Sequence, residues 1–156
     1  MLTRNLTSRI TQALTRKATE PGSGGGLWYP GADFFAGDPG AAFDFTDGTL
    51  LYTDSARTTP ATGASDPVGS ATDLSGNGNH ASQSTAGSRP TRDPLGILLG
   101  NPKFLQTSNI DFSGTDAITV VASVRKISDA SAGYVCRPGA DFTTVPAVAI
   151  TAPTFN

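Results

Sequence analysis

Asp73, Ser75, Asn77 and Gly78 follow the order Asp-x-Ser-x-Asn-Gly, the first half of an EF-hand calcium loop, in which oxygen ligands from alternating positions converge on one ion. The twelfth position of that loop is Ser84, where a bidentate Glu is required, so an EF-hand is rejected. A looser calcium site on the same turn is the one cofactor alternative; otherwise neither cofactor nor metal is expected. Triad hydrolysis needs a histidine base, and the only one is His80, which reads as a polar residue at the start of a strand. Glycoside hydrolysis needs two carboxyls at a fixed separation. Of the twelve Asp and one Glu, Glu20 borders a glycine run and most Asp stand beside Gly, Pro, Ser or Thr, where they cap turns. One Cys and one His cannot supply three nitrogen or sulfur ligands to zinc. The glycines at 22–26 are not followed by the Lys-Ser/Thr of a phosphate loop. No catalytic residue is assigned, and the chain is not expected to be an enzyme.

The elements that carry these residues are short and turn-rich. Only 15% of the 156 residues are charged, while 18 are Gly and 11 are Pro, a balance that favours an all-β body over helices. Eight Phe, three Tyr and one Trp give enough aromatic area for a thin core. Arg4, Arg9, Arg16 and Lys17 all precede the first acid, Glu20, which leaves 7 basic against 13 acidic residues in the remainder. The head is basic and the body acidic, and a body of that sign repels phosphate, so no nucleic-acid partner is expected. The single cysteine, Cys136, excludes an internal disulfide framework and fits assembly in a cytosol. No run approaches the ~20 apolar residues that cross a bilayer, and neither membrane insertion nor a signal peptide is indicated.

Residues 1–20 form an N-terminal anchor segment with a four-residue repeat: Leu-Thr at 2–3, 6–7 and 14–15, Ile-Thr at 10–11 and Ala-Thr at 18–19. On a helix, Leu2, Leu6, Ile10 and Leu14 make a stripe that drifts by about 40° per step. On a strand, the same spacing puts every apolar residue on one face. The helix is preferred. Because β-branched threonines weaken an isolated helix, the stripe needs a partner to bury it, and these four residues are the expected docking contacts with an assembly and with other copies of the chain. Residues 21–26, Pro-Gly-Ser-Gly-Gly-Gly, form a flexible linker to the body at 27–156. At the start of the body, Trp28 and Tyr29 are expected to pack on the neighbouring sheets, with a sugar-stacking platform as the alternative.

Beyond them, strand patterns and turn signals alternate at sandwich spacing. Strands are expected near 41–46, 49–53, 67–73, 80–84, 96–99, 103–107, 117–126, 132–136 and 146–151. The segment Ala117-Ile118-Thr119-Val120-Val121-Ala122-Ser123-Val124-Arg125 is β-branched and alternating, and it reads as a central strand. Asn77-Gly78 suits a type I′ hairpin with both central residues at positive φ. The fold class is therefore mainly β: an antiparallel β-sandwich with a short N-terminal helical anchor.

Four motifs occur in order: Asp54-Ser55-Ala56-Arg57-Thr58-Thr59-Pro60, Asp66-Pro67-Val68-Gly69, Asp73-Leu74-Ser75-Gly76-Asn77-Gly78-Asn79-His80-Ala81, and Arg89-Pro90-Thr91. Over residues 27–126 the chain resembles bacteriophage tail and virion proteins of the fibre or spike type, in which this stretch leads into a concanavalin A-like, laminin-G-like jelly roll. The basic, threonine-rich head before a glycine linker is similar to the N-termini of such proteins. They continue well past the strand matching 117–126, so the expectation is a shortened, jelly-roll-like sandwich or the particle-proximal part of a longer fibre. The resemblance implies a structural virion protein, assembled in the host cytoplasm, that docks on other phage virion proteins by its N-terminus. It would project a lectin-like β-domain for host attachment. Fibres and spikes are often trimers, so a homo-oligomer, with a trimer favoured, is expected. Host surface polysaccharide is the expected ligand of the body. The alternatives are a glycan-binding module without a structural role and a glycan-degrading enzyme.

Overall fold

The computed structural model describes residues 35, 37–100, 102–114, 119–125 and 127, and the backbone of 133–136 and 148–150. The chain divides into two compact units, Met1–Ile110 and Asp111–Asn156. Within the described residues it is built from short strands in antiparallel sheets, and no helix there is long and apolar enough to cross a membrane. The proposed anchor at 1–20 and the linker at 21–26 lie outside the described residues.

In the first unit, β1 (Leu51–Tyr52), β2 (Ser70–Ala71) and β3 (Ala81–Ser82) form one sheet in the order β1-β2-β3. The register sets Leu51 opposite Ala71 and Ala71 opposite Ala81. Because successive side chains alternate between sheet faces, this row lies on one face, and all three residues are buried. Ala61 and Val68 complete the buried cluster, with Phe43, Phe45, Ile97 and Leu105 packed against it. The Phe43 and Phe45 rings stack with centroids 5.7 Å apart. β4 (Thr91–Asp93) and β5 (Gly96–Leu98) form a hairpin that delivers Ile97 to the same core. On the outer sides of the three-stranded sheet, Tyr52 bridges to Pro60 and Ser82 to Gln106.

Gly69 sits where no side chain fits. A Cβ there would stand 2.6 Å from the Thr53 carbonyl oxygen, because the Gly69 N–H reaches the Tyr52 carbonyl at 2.7 Å. In the second unit, β6 (Gly133–Cys136) pairs antiparallel with β7 (Val148–Ile150), with an irregularity between Tyr134 and Cys136.

The strands are shorter than the pattern suggests, and in the first two stretches side chains take hydrogen bonds that a ladder would use. The strand expected at 41–46 is irregular. The Ala42 N–H donates to the Asp73 carboxylate, and the Thr46 N–H and hydroxyl donate to Asp44 Oδ1. At 49–53 the chain begins with a 3-10 turn, Gly48–Leu50, capped by the Asp47 side chain, and only Leu51 and Tyr52 are strand. The stretches 67–73 and 80–84 shrink to β2 and β3, and 103–107 supplies only isolated bridges at Lys103 and Gln106. The strand at 91–93, which carries Arg92 and Asp93, was hidden by those charges. The strands near 96–99, 132–136 and 146–151 are present as β5, β6 and β7.

Two corrections are larger. Of the central strand expected at 117–126, the described residues 119–125 form no ladder and all are exposed, Val121 at 79%. β-propensity expresses how well a side chain packs on strand neighbours, and pattern alone cannot supply them. The Asn77-Gly78 turn is not type I′. Positive φ falls on Gly76 and Gly78, at 85° and 75°, and Asn77 is not in that region. β2 and β3 are joined instead by a wider loop over 72–80.

Leu51 is completely buried in the core cluster with Ala61, Val68, Ala71 and Ala81. Leu51→Ala is therefore expected to cost about 2–5 kcal/mol, read as a fall in the urea midpoint without a change in slope.

Candidate functional site

The anchor residues Leu2, Leu6, Ile10 and Leu14 and the aromatic pair Trp28 and Tyr29 lie outside the described residues. The chemistry-bearing residues of the 73–80 loop are described, and the structure gathers them around one carboxylate.

Asp73 follows β2 by two residues and is buried. Its Oδ1 accepts the N–H of Ala42 and of Ser75, each at 2.9 Å, and its Oδ2 accepts the Ser75 hydroxyl at 2.7 Å and the Asn79 N–H at 2.8 Å. Burial by itself would raise this carboxyl. The donors from Ala42, Ser75 and Asn79 outweigh it and hold the group below its ordinary 3.8. The loop also grips the segment 38–42 through its asparagines. Asn79 Nδ2 donates to the Gly40 carbonyl at 2.7 Å, Asn77 Nδ2 to the Asp38 carbonyl at 3.0 Å, and the Leu74 N–H to the Ala42 carbonyl at 2.8 Å. The Asp73 N–H donates to His80 Nδ1 at 3.0 Å, which closes the loop one residue before β3.

Asp73, Ser75 and His80 are thus neighbours, but not in the order of a catalytic triad. Nδ1 of His80 accepts a backbone N–H and faces no carboxylate there, and the hydroxyl of Ser75, 2% exposed, donates its hydrogen bond to Asp73 and not to the imidazole. That serine has no open face for a substrate carbonyl. A calcium ion on this loop would compete with N–H and O–H donors for the same carboxylate lone pairs. Among the described residues, no group of three or more His, Cys, Asp or Glu is placed to hold a metal.

The other motif residues do similar work. Asp54 takes the N–H of Thr59 at 2.8 Å and the hydroxyl of Thr58 at 3.0 Å, closing the turn that holds Arg57 at φ 60°. Desolvation opposes ionisation of its carboxyl, but the N–H groups of Thr59 and Thr58 prevail and lower it. Asp66 accepts the Gly63 N–H at 2.7 Å. Arg89, whose role the pattern did not suggest, spreads its guanidinium over three carbonyls: Gln83 from Nε at 3.1 Å, Thr53 from Nη1 at 3.0 Å and Ser84 from Nη2 at 3.1 Å. Lys103 Nζ in turn donates to the Arg89 carbonyl at 2.8 Å. The only signal of this in the sequence was an Arg directly before a proline that proves fully buried.

Asp73→Ala would leave buried donors unpaired, so a loss of about 1–3 kcal/mol or more is expected in chemical denaturation. The pH dependence has a definite sign. A carboxyl held below 3.8 in the folded state stabilises it fully above that value, and the contribution is lost as pH falls through the lower folded value. Wild-type stability should therefore decline below about pH 4, and less steeply in the Asp73→Ala variant.

No protein-family model, no curated protein and no solved structure matches this chain.

Proposed function

We propose that the chain is a structural component of a phage particle, docked by its N-terminal segment and projecting a concanavalin A-like β-domain toward the host surface. The supporting observation is that three of the four motifs carrying the resemblance, with the residues that flank them, are tied together inside a single unit. The Val68 N–H donates to the Pro90 carbonyl at 2.8 Å, the Ser70 hydroxyl to the Asp54 carbonyl at 2.8 Å and Arg89 to the Thr53 carbonyl at 3.0 Å. Their polar side chains are spent on backbone groups. This is the economy of a domain built to hold a shape, and antiparallel sheets joined by such loops suit a jelly-roll-like body.

The apolar repeat at 2–19 supplies the docking stripe, and copies of the chain associate through it, as a trimer. Host surface polysaccharide is the ligand of the body, with Trp28 and Tyr29 as its stacking contacts.

Removal of residues 1–20 should leave a folded protein that is missing from purified particles; normal incorporation of the truncated chain would overturn the docking role. The full chain should adsorb to host cells, with Trp28→Ala weakening adsorption at least severalfold. Equal adsorption by the variant would reduce the body to a spacer.

A further inference from the structure

We propose that the 73–80 loop is an acid-sensitive clasp: a proton added to His80 Nδ1 removes the acceptor of the Asp73 N–H and loosens the grip of the loop on residues 38–42. The geometry requires a neutral ring. An imidazole nitrogen can accept the Asp73 N–H at 3.0 Å only through its lone pair, and once protonated it presents a second donor to the first. That bond fixes the backbone of the residue whose carboxylate binds Ala42, Ser75 and Asn79. The same loop holds the carbonyls of Asp38, Gly40 and Ala42 through Asn77, Asn79 and Leu74. A disturbance at His80 is therefore passed to the point where the chain enters the described body.

The charged groups acting on the ring come from two elements: Arg57 from the 54–59 turn and Asp73 from the loop itself. Desolvation, and then the positive charge of Arg57, hold the closed-state ring below its ordinary 6.5 against the opposing pull of Asp73. The open loop keeps the ordinary value, so it takes up the proton first. The clasp is at full strength above pH 6.5 and weakens as pH falls from there toward the closed-state value, its closing constant dropping at most about tenfold per pH unit. The chain has only one histidine, so no second imidazole titrates in this window. If the docking reading above holds, acidification loosens a stretch near the start of the projecting body, 38–42; the clasp itself does not depend on that reading.

The test is amide hydrogen exchange on the full chain between pH 7.5 and 5, corrected for intrinsic rates, in wild type and in His80→Asn, whose Oδ1 offers an acceptor that does not titrate. Protection at Ala42, Asp73 and Asn79 should fall severalfold in wild type below pH 6.5, while the Ala61 amide, bonded to Leu51, stays protected. In the variant all of these amides should be insensitive to pH. Flat protection in wild type, or the same fall in both proteins, overturns the proposal. Should His80→Asn fail to fold, the ring of wild-type His80 is titrated by NMR: a midpoint below 6.5, moving together with the Asp73 amide, supports the clasp, and a midpoint at or above 6.5 refutes it. None of these readings involves a particle, so they stand or fall apart from virion incorporation.

Discussion

A carboxylate removed from water must be saturated with donors or it destabilises the fold around it, and Asp73 meets that demand with groups from Ala42, Ser75 and Asn79. Satisfying one side chain thereby places three stretches of chain. The exit of β2, the entry to β3 and the irregular approach at 38–42 are all held by those donors and their neighbours. The fold of the first unit is, in this sense, organised around a charge as much as around a core.

That division of labour follows from how little apolar volume is available. The buried cluster is Leu51 and Val68 with three alanines, Ala61, Ala71 and Ala81, and strands of two or three residues contribute few ladder bonds. Fully burying a leucine or valine side chain is worth about 1.5–3 kcal/mol, far less than the ordering entropy of the long loops between these strands. Side-chain bonds to backbone add to the core: Asp54, Asp66, Asp73, Arg89 and Arg92 each close or pin a loop. A buried polar atom is left over at Arg92 Nε, the cost of threading a guanidinium beside Gly48, where a Cβ would stand 2.8 Å from Nη2.

Much of this could be read in the chain beforehand, and the failures share a cause. Richness in Gly, Pro and Asp announced a turn-dominated, antiparallel architecture, and the placing of β5, β6 and β7 followed from local pattern. Asp residues beside Gly, Ser and Thr were recognisable as turn caps, as Asp54 and Asp66 proved to be. What local pattern could not reveal was competition over distance. Ala42 looks like a strand residue until Asp73, thirty-one positions away, takes its N–H. Residues 119–125 carry the strongest β signature, but strand formation needs a neighbour, and periodicity does not say whether one arrives. Arg89 was invisible as a tie because its three carbonyl partners are identified only by the fold.

The flanks of the small sheet carry a last implication. The outward groups of β1 are consumed by the 59–61 stretch, through Thr53 N–H to Thr59 and Ala61 N–H to Leu51, with Pro60 between them lacking an N–H altogether. Those of β3 are exchanged with Gln106 in both directions, at 2.7 and 3.1 Å. Neither margin offers a row of vacant backbone groups on which a foreign strand could template. Crowded copies of this domain can therefore stand side by side without zipping into fibrils through that sheet.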